Sequence, residues 1–308
     1  PLINQGEMVV RGTSAISGSF VNEADAMLRL LGDPNFGTAT LTVAQSFTNH
    51  GEIELTGNGG HASSLVLTTG LLTNAEDGVI RTLAGNAGGG RTLDAEFDNQ
   101  GTIELIDSSL RIGLRQTASR TGVSESSGTI SLAGGDLSLE RLEGTLTSFT
   151  NTGTIDIAAG QRFTVTNTTF ENAAGGILAG AGTLDAGNAT VNNSGVVRPG
   201  NSPGIFTLKG NYVQTANGVL NVELMGLTVG SKYDQLNVVG TVTLDGSLDV
   251  RVRFLPQVGD SFTVLANDGV DPIVGTFNSL DEGETFTSGP ARFQISYAGG
   301  DGNNDVIL

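Results

Sequence analysis

Acidic side chains that recur at similar places are the residues with the clearest capacity for chemistry. They are Glu52, Glu54, Glu104 and Asp156. Two carboxyl groups on one face can cleave a glycosidic bond, one as general acid and the other activating water or the sugar. Their even placement in repeated segments is more typical of ordinary outward-facing polar residues. The pattern therefore predicts no catalytic residue, and a polysaccharide-cleaving enzyme stays an alternative.

The remaining candidates for chemistry are weaker. His50 and His61 are the only histidines and the chain has no cysteine, which makes a zinc site a poor interpretation. Gly299–Asp305 is similar to one calcium-binding nonapeptide, but such repeats bind calcium between successive copies, so we predict a polar turn. Gly88–Thr92 lacks the lysine of a phosphate loop. No cofactor and no metal site are predicted, and a calcium-stabilised module stays an alternative.

A recurring Phe-x-Asn-x-Gly-x-Ile-x-Leu pattern must position these residues. It occurs at Phe47–Leu55 and Phe97–Leu105, and again with a final Ile at Phe149–Ile157. A repeat of roughly 20–50 residues indicates a solenoid. The asparagines that mark the repeat are Asn22, Asn49, Asn74, Asn99, Asn151, Asn172 and Asn193. Ser126–Leu132 fills the one double-length interval as a copy that lacks its asparagine.

Each repeat unit predicts one coil of short strands. Glu52–Leu55 alternates as a first strand, Ser64–Leu67 forms a second, and the next corner follows at Asn74. Successive coils would stack about 4.8 Å apart, the spacing of hydrogen-bonded strands. Asparagine suits the corner because it tolerates unusual backbone angles and can form a hydrogen-bonded ladder with its equivalents. The fold class is therefore all-β, a parallel β-helix.

Composition limits the partners. The formal net charge of −17 disfavours nucleic acid and anionic membranes, which need clustered cations. No apolar stretch is long enough for a membrane-spanning helix, so no membrane insertion by this segment is expected. The chain opens at Pro1 inside a repeat-like unit. We therefore expect a processed chain or a segment of a longer protein.

From about residue 180 the motifs become more specific. Pro199–Gly204 forms a Pro-Gly-Asn-Ser-Pro-Gly turn, and Tyr233–Leu236 follows one coil later. This series resembles the closing part of autotransporter passenger domains and related bacterial surface β-helices. The resemblance implies a right-handed parallel β-helix that is exported and held at a bacterial surface or released. We expect coils over residues 1–254 and a less regular C-terminal capping region over 255–308, continuous with the solenoid.

These features together predict a non-catalytic extracellular protein with a structural or adhesive role. A stalk, an adhesin segment or a fibre subunit that self-associates head to tail would suit a stiff rod. The expected partners are other copies of itself, other surface proteins, or glycans. The loops that interrupt the repeat are the candidate contact regions, because solenoids bind through such projections. They cover residues 57–63, 84–91 and 116–127.

Overall fold

The computed structural model describes residues 1–86, 88–115, 124–144, 148–200 and 203–308. Strands make up 61% of the chain and the described residues contain no helix, so the all-β prediction is confirmed. The chain divides into two compact units. Unit 1 comprises residues 1–156 and 161–168, and unit 2 comprises residues 157–160 and 169–308. Within each unit the coils stack in parallel as a β-solenoid, and the chain makes about 10 turns.

The strands follow one another along the chain in three groups. The first group is β1 (Leu2–Asn4), β2 (Glu7–Val10), β3 (Thr13–Ile16), β4 (Phe20–Asn22), β5 (Met27–Gly32), β6 (Ala39–Val43), β7 (Phe47–Asn49), β8 (Glu52–Gly57), β9 (Ser63–Asn74), β10 (Val79–Thr82) and β11 (Arg91–Asn99). The second is β12 (Thr102–Leu105), β13 (Leu110–Arg115), β14 (Ser124–Ser126), β15 (Thr129–Leu132), β16 (Leu137–Glu143), β17 (Ser148–Asn151), β18 (Thr154–Ile157), β19 (Arg162–Thr166), β20 (Thr169–Asn172), β21 (Ile177–Gly180) and β22 (Thr183–Asn193). The third is β23 (Val196–Pro199), β24 (Ile205–Gln214), β25 (Val219–Leu224), β26 (Gln235–Val239), β27 (Val242–Leu244), β28 (Ser247–Val252), β29 (Thr263–Asn267), β30 (Val274–Gly275), β31 (Thr285–Ser288), β32 (Ala291–Gln294), β33 (Ser296–Gly299) and β34 (Asp305–Ile307).

The predicted strands of unit 1 are present in the predicted register. β2, β5, β8, β10, β12 and β15 pair in parallel in that order. Their central residues Ile53, Ile80 and Ile103 lie opposite one another and are fully buried. Side chains alternate between the two sides of a strand, so each coil shelters the apolar row of its neighbours. The apolar column of unit 1 follows directly from the Ile-x-Leu part of the repeat.

The Phe-x-Asn part of the repeat forms another ladder of unit 1. β1, β4, β7, the second half of β9, the second half of β11, β14 and β17 pair in parallel. The rings of Phe20 and Phe47 meet edge to face, with 4.7 Å between ring centroids. A third ladder contains the predicted second strands, including β13, β16 and β19. Each coil of unit 1 is therefore three-sided.

Unit 2 begins with the same plan and ends differently. Parallel ladders join β21, β23, β25 and β28, and also β20, β22, β24 and β27. Near the C-terminus β34 pairs antiparallel with β29 and with β33. β31 and β32 form a separate antiparallel hairpin. The less regular C-terminal region thus adds antiparallel pairs, while β29 and β30 still pair in parallel with β26 and β27. Its division at residue 254 and the right hand of the coil stay predictions.

Candidate functional site

The corner asparagines form a hydrogen-bonded column inside unit 1. The side-chain amide nitrogen of each one donates to the side-chain oxygen in the next coil at 2.8 Å, from Asn4 through to Asn99. Asn99 then donates to Ser126 Oγ at 3.0 Å, so the copy that lacks its asparagine still accepts the bond. The four asparagines from Asn22 to Asn99 are fully buried. Because buried amides are costly unless bonded, the column is a structural necessity of the coil corners.

Unit 2 has its own chain of buried side-chain hydrogen bonds, in which asparagine is followed by tyrosine and glutamine. Asn172 donates to Asn193 at 2.7 Å, and Asn193 donates to the Tyr212 hydroxyl at 3.2 Å. That hydroxyl donates to Gln214, whose amide in turn donates to the carbonyls of Asp245 and Ser247. Burial raises the pKa of Tyr212, and its bond from Asn193 only partly offsets this. The Tyr212 hydroxyl therefore stays protonated, accepting a hydrogen bond from Asn193 and donating one to Gln214.

Arginines bridge the candidate catalytic carboxylates on the outward face of unit 1. Arg29 contacts Glu54 at 2.9 Å and Glu7 at 3.0 Å. Arg81 contacts Glu52 at 2.7 Å and Glu104 at 2.9 Å. Register explains the contact with Glu104, which lies directly opposite Arg81, whereas Glu52 is reached diagonally because the residue opposite Arg81 on that side is Glu54. This face is a charge ladder across adjacent coils.

The charge ladder consists of Glu7, Arg29, Glu52, Glu54, Arg81 and Glu104. Its carboxylates raise the pKa of Arg81. Partial burial acts to lower the pKa of Arg81. The hydrogen bond to Glu104 and the charges of Glu52, Glu104 and Glu54 outweigh that effect, and the pKa rises. Arg81 therefore stays a cation within the charge ladder.

Three of the four candidate catalytic carboxylates contact an arginine of a neighbouring coil. Glu52 and Glu104 contact Arg81, and Glu54 contacts Arg29. Asp156 lies apart from them on β18 as a half-buried residue. The geometry assigns the three glutamates to holding coils together.

A second acidic centre, which the sequence interpretation missed, lies on β11 and β13. Asp94 contacts Arg111 at 2.8 Å and Arg115 at 3.9 Å, and Arg115 also contacts Glu143 at 2.9 Å. Gly113 makes room for it, since a Cβ there would lie 2.3 Å from Asp94 Oδ1. This cluster again joins adjacent coils through arginine.

The sequence contains a signal for the charge ladder, because arginine and glutamate alternate at one position of the repeat. Leu28-Arg29-Leu30 and Ile80-Arg81-Thr82 occupy the same triplet as Ile53-Glu54-Leu55. The number of residues between the corner asparagine and the triplet differs from coil to coil, so the equivalence of Arg29, Glu54 and Arg81 is hard to see in the sequence. Aligning the triplets rather than the asparagines would have revealed the alternation of charge.

Both histidines lie where the sequence placed them. His50 is at a corner of unit 1, and its Nδ1 lies 2.9 Å from Asp77 Oδ1 in the next coil. His61 lies in the glycine loop after β8. Among the residues that the structure describes, no group of three or more histidines and carboxylates is arranged to hold a metal ion.

The segment similar to a calcium nonapeptide forms a polar turn before β34, as predicted. Asn304 is 2% exposed and donates to the carbonyls of Asp268 and Asp271 at 3.0 and 3.2 Å. Asp305 accepts from the backbone N–H of Asn267 at 2.9 Å. These polar groups join the turn to the C-terminal strands.

The second of the three predicted contact loops is anchored at its end, while residues 85, 86 and 88–90 within it are exposed. Arg91, at the start of β11, is 1% exposed, and it donates to Leu83 O, Ala84 O and Gly89 O at 2.8 to 3.0 Å. Burial lowers its pKa, and the charge of Asp107 partly opposes this. Arg91 thus anchors the second loop to the stack through backbone carbonyl groups. The third loop lies mostly outside the described residues, at 116–123, and its end forms β14.

One buried carboxylate in unit 2 was not predicted. Asp234 is 1% exposed, and its two oxygens accept from the backbone N–H groups of Gly204 at 2.7 Å and Glu223 at 2.8 Å. Burial raises the pKa of Asp234 to about 6, against the lowering effect of those two bonds. Asp234 belongs to the Tyr-Asp-Gln-Leu motif, so the motif has a structural role. Residues 201–202 of the preceding turn lie outside the described part of the chain.

Comparison with known proteins adds no family. No protein-family model matches the sequence, and no curated protein matches it either. Within the described residues, no helix combines the length and apolar character needed to cross a membrane. The class of protein that fold and site define is a β-solenoid with polar ladders between its coils.

Proposed function

We propose that this chain is a non-catalytic structural or adhesive β-solenoid of a bacterial surface, a stalk, adhesin segment or fibre subunit. The supporting observation is the use of its polar side chains. The asparagine column on the inside and the charge ladder on the outside both bond one coil to the next. Side chains arranged in this way resist separation of coils. An extracellular position is a further part of the proposal, and the resemblance to autotransporter passenger domains supports it.

The mechanism is mechanical. Backbone hydrogen bonds between parallel strands, the buried apolar column and the side-chain ladders hold each coil to its neighbours. Contacts with other copies, other surface proteins or glycans would be made by loops and lateral faces. Head-to-tail self-association belongs to the proposal because coils that stack in parallel on one another can also stack on the coils of a second copy. Electron microscopy that shows only discrete short particles at high concentration would reject that association.

A substrate screen separates this proposal from an enzyme. The purified chain would be incubated with neutral and acidic polysaccharides, and new reducing ends and unsaturated sugar ends would be measured. We expect neither product. Cleavage that disappears in Glu52→Gln or Glu104→Gln, with an unchanged melting temperature, would replace the structural proposal with a catalytic one. Thr102→Val, on the same strand as Glu104, is the matched control.

A pulling experiment tests the mechanical role directly. The chain would be held by its two ends, and force would be recorded as it extends. We expect unfolding in steps of about one coil, roughly 20–27 residues, because each repeat contacts only its neighbours. A smooth extension at low force would contradict a load-bearing rod.

A further inference from the structure

The sequence contains three copies of the Asn-x-Ser/Thr pattern that marks acceptors of N-linked sugars. They begin at Asn167, Asn188 and Asn192. In a chain rich in asparagine and threonine the pattern alone means little, so the surroundings of each copy decide whether it can accept a sugar. The copy at Asn167 runs from unit 1 into unit 2, whereas the other two lie wholly within unit 2 and both begin on β22.

Asn188 lies in a bulge of β22. The strand pairs with β24 up to Asp185 and again from Thr190, so residues 186–189 stand opposite the single residue Gly210. Such an excess of residues makes a strand bend and re-aims its side chains. Gly187 adopts a φ of 61° here, and a Cβ placed on it would meet no atom within 4 Å. Asn188 is therefore exposed, with open space beside it.

The two side chains that an N-glycosylating enzyme needs are unused in the Asn188 copy. Asn188 is exposed and Thr190 is half-buried, and neither side chain has a hydrogen-bond partner among the described residues. Asp185 Oδ1 accepts from Gly187 N at 3.1 Å, which holds the bulge without using Asn188. No internal side-chain bond has to break before an enzyme binds this amide and this hydroxyl.

The copy at Asn192 has the opposite surroundings. Asn192 is half-buried, and its Nδ2 donates to Glu171 Oε1 at 2.9 Å. Asn193 is fully buried in the hydrogen-bonded chain of unit 2, and Ser194 Oγ lies 2.9 Å from Thr215 Oγ1. An amide nitrogen that already donates to a carboxylate must lose that bond before it can react. All three residues of this copy thus serve the contacts between coils.

We propose that Asn188 is an attachment site for an N-linked glycan, and that the folded chain excludes Asn192 from the same reaction. The co-substrate is an activated sugar, linked through phosphate to a lipid or a nucleotide. The bond from the anomeric carbon to the phosphate oxygen breaks, and a bond from that carbon to Asn188 Nδ2 forms. The nitrogen loses one proton, and the phosphate leaves with the electron pair of the broken bond. The Thr190 hydroxyl is the group by which the enzyme recognises the acceptor.

A glycan at this bulge is compatible with the stack. Glycans are bulky and hydrophilic, so they need a surface position. The flanking residues Gly187 and Ala189 are small, and the apolar side chains of Leu184 and Val191 on the same strand are fully buried. Attachment goes beyond the structural proposal and shares with it only the expectation of an exported chain, because acceptors of this kind are surface positions of secreted proteins.

The test supplies the folded chain with an oligosaccharyltransferase that accepts folded proteins and with a lipid-linked oligosaccharide. Peptide mapping by mass spectrometry gives the occupancy of each copy of the pattern separately. We expect the occupancy of Asn188 to exceed that of Asn192 about tenfold, because Asn192 must first give up a bond to a carboxylate. Thr190→Ala should abolish the sugar on Asn188 without changing the circular dichroism spectrum. Ser194→Ala is the matched control and should leave the occupancy of Asn188 as in the native chain.

An unfolded control separates the effect of the fold from that of the pattern. A capped peptide of residues 185–196 contains both copies of β22, and we expect similar occupancy of Asn188 and Asn192 in it. The proposal is overturned if Asn188 takes no sugar in the folded chain, if Asn192 takes as much as Asn188 there, or if the peptide shows the same preference as the folded chain. The structural proposal would survive any of these results, because the substrate screen and the pulling experiment use the chain without sugar.

Discussion

Replacing Asn74 by leucine is the strongest test of the asparagine column. Asn74 accepts a hydrogen bond from Asn49 and donates one to Asn99, both at 2.8 Å, and it also donates to Thr102 O at 3.2 Å. Leucine has a similar size but can form none of these bonds. The substitution therefore removes hydrogen bonding at one fully buried corner and leaves the apolar column untouched.

The expected loss follows from those bonds. Each typical hydrogen bond contributes about 1 kcal/mol net, and a buried partner left without one costs about 1–3 kcal/mol. Losing the two side-chain bonds, with Asn99 Oδ1 losing its donor, gives a loss of about 3 kcal/mol in the free energy of unfolding. For a chain of this size that corresponds to a melting temperature lower by roughly 5 °C.

Two matched variants isolate the cause. Thr73→Leu adds a leucine one position earlier, where the side chain is only half-buried, and should change stability by less than about 0.5 kcal/mol. Asn74→Ser imitates Ser126, whose hydroxyl accepts a hydrogen bond from Asn99. Its free energy of unfolding should lie between those of the native chain and Asn74→Leu.

Urea and thermal unfolding followed by circular dichroism give the midpoints. Hydrogen exchange of the amides around the corner shows whether the loss is local, since a solenoid can open coil by coil. If Asn74→Leu unfolds at the native midpoint, or no earlier than Thr73→Leu, the column does not stabilise the stack.

Three further predictions address the arginines and the buried carboxylate. Arg81→Ala should lower the free energy of unfolding by about 1 kcal/mol at low salt and by less at high salt, as salt-dependent melting would show; a salt-independent loss would contradict the charge ladder. Arg91→Met should lower it by about 3 kcal/mol and make residues 84–90 sensitive to limited proteolysis, because three carbonyl groups lose their donor; native resistance to protease would contradict this. Asp234 has a pKa raised from 3.8 to about 6, so the folded state binds the proton more tightly and its contribution to stability falls as pH rises from about 4 to about 6. The melting temperature of Asp234→Asn minus that of the native chain should therefore increase over that range, and a constant difference would refute the assignment.

The repeat predicted the parts of the fold that depend on near neighbours in sequence. Each Phe-x-Asn-x-Gly-x-Ile-x-Leu copy contains its own corner and its own alternating strand, so Ile53 and Ile103 were placed in the core without coordinates. Even the irregular copy at Ser126 is recognisable, because serine preserves an acceptor where asparagine is missing. The right hand of the coil and the extracellular position stay predictions that rest on the resemblance.

Other features depended on contacts that no local pattern contains. Arg91 is held by backbone carbonyls, which every residue possesses, so nothing in the sequence marks its partners. In unit 2, Tyr212 and Gln214 occupy the place that asparagine has in other coils. The sequence does not show this, because only their position in the stack makes them equivalent to the corner asparagines.

The sequence by itself determined the β-solenoid, its coil length, its apolar column and its asparagine corners, because a short period and a two-residue alternation are properties of the chain alone. Only the tertiary structure decided that Arg81 joins Glu52 and Glu104. This contact depends on register between coils separated by loops of unequal length. That register is set by how the coils pack, and packing is determined by all the coils together.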